Sequence, residues 1–204
     1  MANTSRINGF RPVKMITGAP YNGQGTMCYV YSASGNLGVG DVVKLEDRST
    51  NAVSIGVPTV DQAAAGDAAF GVIIGMINAK LDPVTGTLTT GSISLDTPQY
   101  LASGSSGYVI VETDPNVIYR VQANATVNAK VGATAVPTIT ADQTSTLSQS
   151  SPFSSTYVTA DSSATAASMF QIIGLYQEPN NVPGAYNDIL VKFNKHQYLQ
   201  AFGA

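Results

Sequence analysis

Apolar residues in this chain come in short runs separated by turn-forming residues, and no run approaches the eighteen residues of a membrane span. Short runs rich in β-branched residues between turn signals are the pattern of an all-β chain, a small β-barrel or β-sandwich. The runs predict strands near Met27–Ser32, Asp41–Glu46, Phe70–Ala79, Ser92–Asp96, Tyr108–Thr113, Val117–Gln122, Phe170–Gln177 and Asp188–Phe193. Pro115 presets a turn at Asp114-Pro115-Asn116, which predicts that the strands on either side of it form a hairpin. Gly71 and Gly75 interrupt Phe70–Ile77 and predict a buried strand with a bulge or bend. Val60–Gly66 is the one segment that reads as a helical turn.

Four stretches differ in character. Residues 1–25 form an extended N-terminal arm: Pro12 and Pro20 break regular structure, and Phe10, Val13, Met15, Ile16 and Tyr21 are spaced as separate anchors. An arm of this kind must lie against its own body or a neighbour. Residues 26–131 make the β body, and 169–204 supply C-terminal strands and a tail that complete it. Between them, 24 of the 37 residues of 132–168 are Ala, Ser or Thr. With so little bulk this segment cannot fill a core, so it is expected at the surface, as an excursion or as thin β-structure displayed outward.

Charge is scarce and unevenly placed. Only 11 % of the residues are charged, against roughly 25 % in average soluble domains, and a surface that poor in charge is easily dehydrated against another protein. The residues before Asp41 carry +3 (Arg6, Arg11, Lys14), those from Asp41 to Val191 carry −8, and Lys192 and Lys195 add +2. Basic ends on an acidic body predict termini that reach onto an acidic neighbour, or else a weakly charged tail beside an ordinary acidic domain. A net charge of −3 argues against a nucleic-acid partner. Met1–Ser5, polar and followed by Arg6, does not read as a signal peptide, so synthesis in the cytoplasm is expected.

Chemistry is thin. Cys28, the single cysteine, excludes an intrachain disulfide, and the single histidine, His196, excludes a multi-histidine metal site within one chain. A Cys28/His196 dyad has nothing near it in sequence to lower the thiol pKa, and Cys28 reads as a buried strand residue. Asp41, Asp67, Asp82, Asp96 and Asp114 lie within two residues of Gly or Pro, where Asp serves backbone hydrogen bonds. Gly35–Gly40 lacks the Lys-Ser/Thr of a phosphate loop and is expected to lead into the strand at Asp41. No catalytic residue, cofactor site or metal site is predicted, and the chain is expected not to be an enzyme.

The arm Gly9-Phe-Arg-Pro-Val-Lys14 leads through Gly18–Asn22 to Gly40-Asp-Val-Val-Lys-Leu45. Val57–Asp67 then runs into Phe70–Gly75, and the turn at Asp114–Asn116 and the tail segments Ile173–Asn180 and Val191–His196 follow. In this arrangement the chain resembles the capsid cement, or decoration, proteins of tailed bacteriophages. The resemblance spans most of the chain except 132–168 and carries no catalytic motif. It implies a virion protein on the outer surface of the capsid, often a trimer, that clamps adjacent major capsid subunits, with no nucleic acid or membrane among its partners. Contact with the capsid or with other copies is expected at Arg6, Phe10, Arg11, Lys14 and Tyr21, and removal of residues 1–18 is expected to leave a folded body. A phage tail, fibre or host-adhesion protein is the alternative within the structural class, and a carbohydrate-active sandwich enzyme the alternative outside it.

Overall fold

The computed structural model describes residues 3, 8–46, 57–64, 66–77, 79–81, 88–90, 100–123, 134–138, 154, 156–160 and 168–199. Every regular element among them is a strand. In chain order these are β1 (Arg11–Met15), β2 (Thr26–Val30), β3 (Val42–Leu45), β4 (Val60–Gln62), β5 (Gly71–Ile77), β6 (Ala79–Leu81), β7 (Leu88–Thr90), β8 (Gly107–Glu112), β9 (Val117–Gln122), β10 (Thr134–Thr138), β11 (Tyr157–Ala160), β12 (Phe170–Leu175) and β13 (Asp188–Phe193). They build a six-stranded antiparallel sheet in the order β1-β9-β13-β12-β10-β11 and a five-stranded one in the order β2-β8-β5-β3-β4, with β6-β7 as a separate pair. The fold is a β-sandwich. The five-stranded sheet curls until its edges meet at one bridge, Tyr29 with Thr59, and does not close into a barrel.

Two cores result, because β3 and β5 are apolar on both faces. Val42 and Val72 point into the core beneath the six-stranded sheet, among Tyr119, Phe170, Ile189 and Val191. Their chain neighbours Val43 and Ile73 point the other way, among Cys28, Val30, Leu37 and Val109. Period-2 alternation makes this possible without any polar face between the layers. β5 carries the expected irregularity, a register shift between Ile73 and Gly75. A Cβ on Gly71 would stand 2.1 Å from the Glu112 carbonyl oxygen, so only glycine allows β5 to pack this closely on β8.

Two local expectations are corrected. The strands flanking Asp114-Pro115-Asn116 are not a hairpin: β8 belongs to the five-stranded sheet and β9 to the six-stranded one. The turn itself forms, with the Asn116 amide donating to the Asp114 carboxylate at 2.8 Å and the Val117 amide to the Asp114 carbonyl at 3.2 Å. It carries the chain from one layer to the other, because both strands have buried faces that need separate partners. Val60–Gln62 is strand β4 on the sheet edge, paired with β3, rather than a helical turn; Val60 and Ala63 are buried in opposite cores, which suits an extended chain. The strand expected at Ser92–Asp96 lies outside the described residues.

The arm is part of the body. β1 pairs with β9, and Phe10 is 1 % exposed, stacked on Phe170 at 4.5 Å and set edge-on to Tyr119 at 6.5 Å. Gly9, at φ +66°, turns the chain into this slot, and a Cβ there would come within 2.8 Å of the Gly40 oxygen. Phe10 is therefore committed to its own core and is not a contact held for a neighbour, and cutting away residues 1–18 would open that core.

The Ser/Thr/Ala-rich segment is placed in part by β10 and β11, an antiparallel pair at the far edge of the six-stranded sheet. It is not confined to the surface, since Val158 is buried in the first core and the small residues Ser154 and Thr156 are buried beside Asp41. The Asp41 carboxyl group accepts the Ser154 hydroxyl, the Thr156 hydroxyl at 3.0 Å and the Gly38 amide at 2.7 Å, so a fully buried polar group is met by three donors. Small hydroxyl residues are used here for hydrogen bonding rather than for bulk.

Phe10→Ala is expected to cost about 3–5 kcal/mol of stability, the range for a large aromatic removed from a core. Urea unfolding checks this; a loss under about 1 kcal/mol would place Phe10 at the surface in solution.

Candidate interaction face

Among the described residues, those that sequence reasoning weighed for chemistry make structural contacts. Cys28 is fully buried in the second core, and burial pushes its thiol up to about 12; its polar contact is the Thr26 carbonyl, at 3.6 Å. His196 is buried too, and its Nδ1 accepts the Tyr198 amide at 3.2 Å, so the two side chains serve other partners and form no dyad. Asp61 accepts from the Ser34 amide at 3.0 Å, and Asp67 from the Ala64 amide at 2.9 Å and from Lys44 at 2.8 Å. These are the turn and loop roles expected of Asp. Among the described residues no three His, Cys, Asp or Glu side chains are grouped so as to hold a metal ion. Asp82 and Asp96 lie outside the described residues.

The contact candidates separate into three kinds. Arg6 lies outside the described residues and Phe10 is internal. Tyr21 is half-buried against the first core, its hydroxyl shared between the Gln24 carbonyl at 3.3 Å and the Glu112 carboxylate. Burial first, and Glu112 second, push its pKa well up, which keeps it a protonated donor. Arg11 and Lys14 are exposed on β1.

Those two side chains share a face because of a bulge. Three residues apart on a regular strand they would point to opposite sides, but the register shifts between Pro12 and Lys14, so that Arg11 stands opposite Arg120 and Lys14 opposite Ile118. Arg120 and Ile118 both lie on the outer face of β9, since Tyr119 and Val121 between and beyond them enter the core. On the next strand Lys192 pairs with Ile118 and Leu190 with Arg120. The order β1-β9-β13 thus brings the two basic ends of the sequence onto one surface: Arg11 and Lys14 from one end, Lys192 from the other.

Ile118, flanked in register by Lys14 and Lys192, is 4 % exposed although it faces outward, as expected where long aliphatic stems cover an apolar neighbour. Arg120 is neutralised within the chain. Its Nε donates to Asp188 at 2.9 Å, its guanidinium also meets Glu178 at 2.8 Å, and it lies 4.3 Å above the Tyr176 ring. Partial burial works against its charge, but Asp188 and Glu178 outweigh this and hold the proton more firmly. Arg11, Lys14 and Lys192 are the other cations of this face.

A second surface is apolar. On β2, Met27 and Tyr29 lie opposite Ile110 and Tyr108 of β8, on the side turned away from the second core. Met27 and Tyr31 are 39 % and 38 % exposed, and this part of the sheet presents no charged residue on β2. Arg11 and Lys14 of the basic surface were named from sequence as contacts; the apolar surface was not. The apolar one was signalled by alternating residues in Met27–Tyr31, and the basic one by the charge distribution, though only strand order could join its halves.

Under native conditions at pH 8, Cys28 is expected to resist a thiol reagent such as DTNB and to react once the chain is unfolded; fast labelling of the folded protein would contradict its burial. Compared with family models, with curated proteins and with solved structures, the chain matches none.

Proposed function

We propose that this chain is a non-enzymatic structural protein of a virion, one that binds the outside of an assembled phage capsid and stabilises the shell by clamping adjacent major capsid subunits. The observation that carries this reading is the basic outer face made by Arg11, Lys14 and Lys192 on a body otherwise acidic and poor in charge. Such a face attracts an acidic protein surface, while the apolar stretch at Met27 and Tyr31 gives area that can be dehydrated on contact. The stabilisation is mass action: a protein that binds only the assembled lattice adds its binding free energy to that state. Its partners are the major capsid protein and other copies of itself. A trimer would add avidity with no new kind of contact. The arm that supported this reading in the sequence enters it differently now, since it presents Arg11 and Lys14 from an edge strand instead of reaching across with Phe10.

The test is binding of the purified protein to expanded shells that lack it. The Arg11→Glu, Lys14→Glu, Lys192→Glu variant is expected to keep its melting temperature within a few degrees and to bind shells at least about tenfold more weakly, with the wild-type affinity falling as salt rises. Equal binding by the variant, or wild-type binding to unassembled subunits as tight as to shells, would overturn the proposal. Binding of the isolated protein to cells or glycans in place of shells would favour a tail, fibre or host-adhesion role.

A further inference from the structure

From the end of β13 to Leu199 the chain stays on the body. Residues Asn194–Leu199 cross from the six-stranded sheet to the five-stranded one and are tied to both. On one side the Asn194 and Lys195 amides donate to the Met169 carbonyl at 2.8 and 3.1 Å. On the other, the Ala69 amide donates to the Lys195 carbonyl at 3.1 Å, the Gln197 amide donates to the Ala69 carbonyl at 2.8 Å, and the Leu45 amide donates to Gln197 Oε1 at 2.7 Å. This strap is a clip between the layers. His196 sits at its centre, 1 % exposed, with its ring 5.0 Å from Phe193 and 5.7 Å from Tyr198, whose own ring packs on Phe70 at 5.2 Å.

The imidazole holds the strap in one protonation state only. Nδ1 accepts the Tyr198 amide, so the ring is neutral and its proton is on Nε2. The Phe70 backbone favours the protonated ring, and among the described residues Nε2 has no hydrogen-bond partner. A second proton would have to go onto Nδ1. That would turn an acceptor into a donor aimed at another donor and put a positive charge among aromatic rings, shut away from water.

We infer that the His196 strap is an acid-released latch: closed while the imidazole is neutral, and opened by its protonation so that the two sheets lose this connection while the strands themselves stay paired. The charged groups on the surrounding segments are Asp114 on the inter-sheet turn, Asp67 ahead of β5, Lys44 on β3 and Lys195 on the strap. Lys44 and Asp67 are already paired with each other, and the Lys195 ammonium is bonded to the Gly66 carbonyl at 2.9 Å. Asp114 favours the charged ring, but burial acts more strongly and holds the imidazole below its ordinary range. A basic group depressed in the closed state binds its proton better once the strap is open. Closure is therefore complete above about pH 6.5 and weakens as the pH falls below it. The inference is independent of any capsid role.

Amide hydrogen exchange on the intact protein, corrected for the pH dependence of intrinsic exchange, tests it. Between pH 7.5 and 5, protection of the Gln197 and Ala69 amides is expected to fall at least about fivefold, while amides inside β9 and β13 stay protected. His196→Asn keeps an acceptor in place of Nδ1 and should hold protection constant across that range. His196→Phe lacks the acceptor and should be looser throughout, with no pH response of its own. Constant protection in the wild type, or the same acid-induced loss in both variants, would overturn the inference.

Discussion

Val42 and Val43 are adjacent in sequence and buried in different cores, and most of the architecture answers to that division. A strand apolar on both faces cannot lie at a surface, so the five-stranded sheet must be covered twice. The six-stranded sheet covers one side, and the sheet's own curl, with the loops carrying Ala33, Leu37 and Leu101, covers the other. Having one layer serve two interiors uses many apolar residues for the chain's length and leaves little area for charge. The scarcity of charge, which the sequence presents as a property of the surface, is in this sense also a property of the inside.

The same division governs what could be read in advance. Local pattern placed β3, β5, β8, β9, β12 and β13 close to where they lie, because their apolar runs are long enough to show. It mispaired β8 with β9, since an Asx turn with proline has the same local chemistry whether it returns a strand to its neighbour or hands it to a second sheet. β4 read as helical because three alanines in a row have high helix propensity, and pairing with β3 overrides it. Ser154 and Thr156 were read as surface because they are small. Their burial depends on Asp41, more than a hundred residues away, which no window of sequence contains.

The candidate face follows that rule as well. The charge of each end of the chain was plain, and so was their contrast with the body between them. That Arg11, Lys14 and Lys192 share a surface depends on a one-residue bulge in β1 and on β9 lying between two strands remote from it in sequence. Strand order and register are set by the whole core, so the parts of the face were legible and its assembly was not.

The seating of Phe10 also bears on how the molecule comes into being. Its ring partners are Tyr119 and Phe170, so Phe10 stays without its full set of neighbours until the distant segment that carries Phe170 has left the ribosome. Pairings that span such separations close slowly, because a large loop must be ordered before any contact rewards it. In the interval the nascent chain carries an uncovered aromatic group and an unpaired β9 edge, the features that make partly folded β-proteins prone to associate with one another.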